Sequence, residues 1–218
     1  MKKTLILFVL LALPISIYII FATAVHHFSY LPTLTSSVGN IKDFTGADSL
    51  QFEDKVTLLC FFGGEVKNWR GQAYNLHERV YKKNYIYKDF QIITIAQNGQ
   101  EQQAKELLED LGDFTDINML KWHFIYGSPS QIHDLFDSLK TGLHLNAHNA
   151  SPDVFIIDKE RNLRGRKDEK EGVMYGYPTH SIAAINNTLV EDVSILLAEY
   201  RLKAHQKENN ITKKKVGQ

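Results

Sequence analysis

With 218 residues, 44% of them hydrophobic and 23% charged, the chain has the composition of a globular domain with extensions, which excludes collagen-like and disordered classes. Lys+Arg and Asp+Glu each number 25, so no net field exists to recruit nucleic acid. Cys60 is the single cysteine, which excludes a disulfide framework and cysteine-rich zinc sites.

Lys2 and Lys3 precede an uncharged run from Thr4 to Val25. A helix needs roughly 20 apolar residues to cross the hydrocarbon core, so residues 1–25 read as a transmembrane anchor. The competing reading is a cleaved signal peptide ending at Ala22-Thr23-Ala24, but the run exceeds the usual apolar region of about 7 to 15 residues. The positive-inside bias places the rest of the chain across the membrane. In a bacterium that means a single-pass inner-membrane protein with its C-terminal domain facing the periplasm. No cysteine follows the apolar run, which excludes lipid attachment of the lipoprotein kind.

Residues 26–40, with Pro32, Ser36, Ser37 and Gly39, read as a juxtamembrane linker, and the domain is expected over 41–204. Phe44, the Gly46-Ala47-Asp48 turn, Leu50 and Phe52 suggest a short strand or hairpin entering it. The continuous apolar run Val56 to Phe62 reads as a strand covered on both faces, ending at Gly63-Gly64. Trp69, Ala73, Leu76, Val80 and Tyr81 then recur at helical spacing over 68–81. Phe90 to Ala96 is a second buried strand closed by the turn residues Gln97-Asn98-Gly99, and 102–111 carries an amphipathic helix.

Trp122 to Tyr126 reads as a short strand, stopped by Gly127-Ser128-Pro129-Ser130. The helix face Ile132, Leu135, Phe136, Leu139 follows, capped by Ser128 or Ser130. Val154 to Ile157 is a core strand paired through a polar tip to a second strand starting near Leu163. A long insertion, 164–180, precedes an amphipathic helix over 188–202, and the polar tail 205–218 is expected to fray. Alternation of this kind implies an α/β sheet with helices on both faces and an antiparallel last hairpin.

That order resembles the thioredoxin-like superfamily, and within it the SCO/SenC proteins and their AhpC/TlpA relatives. Ser151-Pro152-Asp153 running into Val154-Phe155-Ile156-Ile157 is similar to the superfamily's proline loop, and Trp122 to Gly127 followed by Gln131-Ile132 is similar to a SCO segment. The resemblance implies a central mixed sheet flanked by helices, behind the N-terminal transmembrane helix, with a cis proline beside the active-site motif. In SCO proteins the first core strand leads into a Cys-x-x-x-Cys-Pro motif joined by a downstream His as a copper ligand. Here the corresponding stretch, Gly64 to Arg70, holds no cysteine, and a dithiol cycle needs two sulfurs in reach.

The implied protein is therefore redox-inactive and not an enzyme: a binding or assembly module at the cell envelope, serving respiratory-oxidase or other membrane-complex assembly. Its candidate binding residues are Gly64, Glu65, Lys67, Arg70 and Pro152, with the 164–180 insertion beside them, and its partners are the membrane and an envelope protein. No cofactor is required. An alternative is metal handling, with copper held by His144 and His148, four apart, and Glu65; a solvated loop is the plainer reading of that pair. A second alternative is single-cysteine thiol chemistry at Cys60, which would need a stabilised thiolate, whereas Cys60 lies in an apolar strand.

Overall fold

The computed structural model describes residues 12–16, 30–115, 117–168 and 172–216. Apart from a helical turn at 12–16, the proposed anchor lies outside the described residues. No described helix is long and apolar enough to cross a membrane.

The strands are β1 (Thr33–Thr35), β2 (Val56–Gly63), β3 (Phe90–Gln97), β4 (Trp122–Gly127), β5 (Asp153–Ile157), β6 (Leu163–Arg164), β7 (Arg166–Asp168), β8 (Gly172–Met174) and β9 (Tyr177–Pro178). Helix α1 starts with a 3-10 turn, Val66–Trp69, runs through Arg70–Leu76, widens into a π-helical turn, His77–Tyr81, and ends at Lys82–Asn84. Helices α2 (Glu101–Thr115) and α3 (Pro129–Asp137) follow. Helix α4 comprises Ile182–Ala184, a second π turn, Ile185–Leu189, and the long segment Val190–Val216.

The main sheet has the order β1-β6-β5-β2-β3-β4, with β9 added beside β5. β2, β3 and β4 are parallel, linked by crossover helices, whereas β5 and β6 run antiparallel to their neighbours. A parallel β-α-β half beside an antiparallel hairpin, closed by a C-terminal helix, is the thioredoxin-like arrangement.

Side chains alternate across a strand, and β2 shows how both faces are filled. Leu58, Cys60 and Phe62 join the core under α1, α2 and α4, while Leu59 and Phe61 pack on the opposite face with α3 and with Val38, Ile41, Phe44 and Phe52. The near-continuous apolar run of β2 follows from this double coverage. Ser128 caps α3 through a full capping box with Gln131, and Pro129 occupies the first turn.

Four expectations are corrected. The segment read as linker is partly structural: Leu31 and Val38 are buried, and β1 pairs with β6. Three residues are too few for periodicity to announce a strand. The segment from Phe44 to Phe52 forms turns rather than a hairpin; it meets the sheet through the bridge Thr45–Tyr126, through Gln91 Nε2 donating to Gln51 O at 2.8 Å, and through the packing of Phe44 and Phe52. The last helix starts before 188, with Ser181 as its cap, and its backbone continues through the expected tail to Val216. The Ser151–Pro152 bond is trans, because the described residues contain no cis peptide.

Candidate functional site

The carboxyl ends of β2 and β3, the entrance of α1 and the loop before β5 meet at one pole of the sheet. Sites in open α/β sheets collect beyond the strand ends. Gly63 ends β2 with φ +57, and a Cβ there would lie 2.0 Å from the His148 carbonyl oxygen. The backbone of 148–149 therefore rests directly on the strand tip, an approach that only glycine allows. Gly64 donates its N–H to the same His148 carbonyl at 2.9 Å, and Ser151 donates to Phe61 O at 2.8 Å. Asn149 holds the loop's shape with φ +58, and its Oδ1 accepts from His133 Nε2 at 2.8 Å.

The residues that enter α1 are fastened individually. Val66 N donates to Gln100 Oε1 at 3.2 Å, and Asn68 Nδ2 donates to Glu65 Oε2 at 2.6 Å. Trp69 stacks on Phe62 with ring centroids 5.5 Å apart. Arg70 reaches Asp110 at 2.6 Å on the surface, while Lys67 is exposed. Where a dithiol enzyme presents sulfur, this chain presents a braced loop with one half-exposed carboxylate, Glu65, and one lysine.

Glu65 and His148 are brought together, with Nδ1 to Oε1 at 3.4 Å. His144 and His148 lie in an irregular loop rather than on a helix, and the described residues contain no cluster of three His, Cys, Asp or Glu able to hold a metal. A copper set of two thiolates and an imidazole does not fit the residues present. Two donors without a third make a weak site.

Pro152 borders this pole, and its carbonyl accepts from Thr179 N at 3.0 Å and Thr179 Oγ1 at 2.8 Å. Asn75 of α1 donates to Thr179 O at 3.3 Å, so the end of the 164–180 insertion clasps the proline loop to α1. Its charged part lies elsewhere. Arg166 of the β7–β8 hairpin binds Asp192 and Glu191 of α4 at 2.8 Å each. Gln97, Gln100, Asn149 and Thr179 were not among the residues read as the site. Their types announce turns and caps, and only the fold shows that they converge.

Cys60 is 2% exposed, in the middle of β2 opposite Thr94. Burial pushes its thiol up to about 12, and a hydrogen bond with Thr94 offsets this only in part. Such a sulfur is a small hydrophobe at neutral pH.

No protein-family model matches the chain. Among curated proteins it is similar to glucose-6-phosphate 1-dehydrogenase of Leuconostoc mesenteroides, 31% identical over 107 residues, 48% of this chain. The chain spans 22% of that protein's length. The sequence has no G-x-G-x-x-G turn, and the antiparallel half of the sheet departs from a parallel dinucleotide fold. Among solved structures it is similar to a putative protein disulfide isomerase from Bacteroides thetaiotaomicron, at 14% identity and TM-score 0.49 over 80% of this chain and 98% of that one. It is similar to ScoI of Arabidopsis thaliana with copper bound, at 14% identity and TM-score 0.46 over 73% and 98% of the two chains. It is also similar to the soluble domain of Sco1 from Bacillus subtilis, at 13% identity and TM-score 0.43 over 77% and 96%. Strand order and direction, rather than these likenesses, carry the assignment: the chain has a thioredoxin-like fold.

Proposed function

We propose that this thioredoxin-like protein is a non-catalytic binding or assembly module, held at the cell envelope by its N-terminal apolar segment and engaging a protein partner with the Glu65 pole. One observation carries the reading. The position from which such folds act on disulfides is occupied by a sulfur-free loop sealed by 148–151, and the only cysteine is buried in a strand with its thiol raised to about 12. Thiol exchange proceeds through a thiolate, and nothing at this pole supplies one.

Lys67, Arg70, Glu65 and the Pro152 loop remain as a polar surface on a rigid support, which suits recognition. The test places a photocrosslinking residue at Lys67 of the full chain in native membranes, with Lys140 as the remote control position. A discrete adduct formed from Lys67 and not from Lys140 is expected. Catalysed insulin reduction or peroxide consumption that disappears in Cys60→Ser would overturn the reading.

Metal handling keeps a single supporting contact, the Glu65–His148 pair. Titration of the full chain with copper(II) or zinc is expected to show no site tighter than micromolar. A tight one-to-one site abolished by His148→Ala would instead establish the metal reading.

A further inference from the structure

The pole opposite Glu65, where β2 and β3 begin, gathers cations around a protruding loop. Lys82 and Lys83 end α1 and Tyr85-Ile86-Tyr87-Lys88 follows, with Ile86 66% exposed. Lys121 donates through Nζ to Tyr87 O at 2.7 Å, Lys55 to Lys88 O at 3.0 Å, and the Arg201 guanidinium lies 4.8 Å from the Tyr87 ring centre. The loop is thus clamped between the start of β4 and the outer part of α4. Two further apolar side chains flank it, Leu120 at 78% and Leu202 at 42% exposure.

Charge is unbalanced there. Lys82 is paired with Glu78, Lys159 with Asp89 and Lys203 with Glu199. Among the described residues, Lys55, Lys83, Lys88, Lys121 and Arg201 face no carboxylate within ion-pair distance. Against these five cations stand Asp54, beside Lys55 and Lys159, and Glu160, which accepts from Tyr200 Oη, so the neutral whole-chain count hides a net cationic pole. Between Tyr87–Asp89 and Tyr200–Ala204 lies a recess of about 290 Å³ edged by Lys88, Lys159 and Arg201. Tyr30, where the described chain of the folded domain begins, sits at the same end of α4, stacked under Arg164 at 5.0 Å. It is also close enough to help its neighbours Glu199 and Glu160 hold Lys203 protonated.

We propose that this pole is a bilayer-docking surface that takes anionic lipid headgroups among its lysines and seats Ile86, Leu120 and Leu202 at the acyl boundary. A protein partner wants a contiguous patch of roughly 800 Å² per side. Separate apolar tips set among lysines and tyrosines instead match the membrane interface, where aromatic rings and long cationic side chains settle. Tyr30 lies beside this pole, so the contact would act as a second, electrostatic attachment that orients the Glu65 pole away from the membrane. It rests on the envelope reading only for that tether.

The test uses the full chain with Cys60→Ala and an environment-sensitive fluorophore on Ile86→Cys, with a Lys67→Cys control. The vesicles are phosphatidylcholine with or without phosphatidylglycerol. A blue shift of the Ile86 probe is expected only with phosphatidylglycerol, with no response at Lys67. The shift should vanish in about 1 M salt, where screening shortens to about 3 Å. Lys83→Gln with Lys88→Gln should lower the docked fraction's ratio to undocked about 25-fold, about fivefold per lysine, while leaving the melting curve unchanged. An Ile86 probe silent on anionic vesicles, equally shifted on neutral ones, or answering to polyglutamate instead, overturns the proposal. Flotation with neutral vesicles reports the N-terminal segment separately, so failure of the tether and failure of the docking surface give different results.

Discussion

Cys60 faces Thr94 across the β2–β3 pair, and the burial that makes it a good core residue makes it a poor nucleophile. At neutral pH iodoacetamide should modify the native chain no faster than it unfolds; rapid modification would show an open thiol. Two histidines respond to the same desolvation. His77 is fully buried, stacked on Tyr81 and in contact with Thr115 Oγ1 at 3.3 Å. Burial holds its pKa below the usual 6.5, with Glu78 opposing and Lys82 adding to the shift. His123 is lowered first by burial and then by Lys55. Below 6.5 the unfolded chain therefore binds protons that the folded chain refuses, so stability is present above that pH and is lost as pH falls through it. The urea midpoint should drop on acidification, and His77→Gln should flatten that slope.

Among the elements, the short ones were the least legible and do much of the joining. Val56–Gly63 and Phe90–Gln97 were readable because eight and seven buried residues in a row leave little choice. β1, β6 and β9 have two or three residues each, and the first two are tied together by Arg164, which in the sequence opens the 164–180 insertion. Arg164 is 2% exposed and donates to Asp158 and Glu199 at 2.9 Å and to the Leu31 carbonyl at 2.7 Å. One guanidinium thus joins the N-terminal segment, the hairpin and α4. Arg164→Ala leaves the buried Asp158 without a cation, while Glu199 keeps Lys203, and should cost about 3–5 kcal/mol in urea unfolding. Ser128→Ala, which removes the cap of α3, should cost about 1 kcal/mol.

At the scale of the whole molecule, alternation of buried strands with amphipathic helices was enough to reach the mixed sheet. The pole was half legible: Glu65 and Pro152 were found from the missing dithiol, but nothing in the spacing of Glu65 and His148 announces their contact. That contact depends on β5 returning antiparallel beside β2. The opposite pole was invisible because its lysines come from five separate segments and are cancelled in the total by acids elsewhere. If the Glu65 pole recognises rather than reacts, charge reversal of Lys67 and Arg70 together should weaken crosslinking by at least about tenfold at unchanged melting temperature, as expected for charged contacts at a partner interface.

Gly63 and its left-handed backbone carry a last implication, for engineering. Because the His148 carbonyl fills the space where a Cβ would stand, no single codon change can place a thiol at the tip of this strand and keep the loop seated. A thiol presented from the strand tip itself would take coordinated rewriting of two distant segments, 63–64 and 148–149. Variation at this pole is therefore open in the exposed side chains of the 65–70 loop and closed at the glycine beneath them.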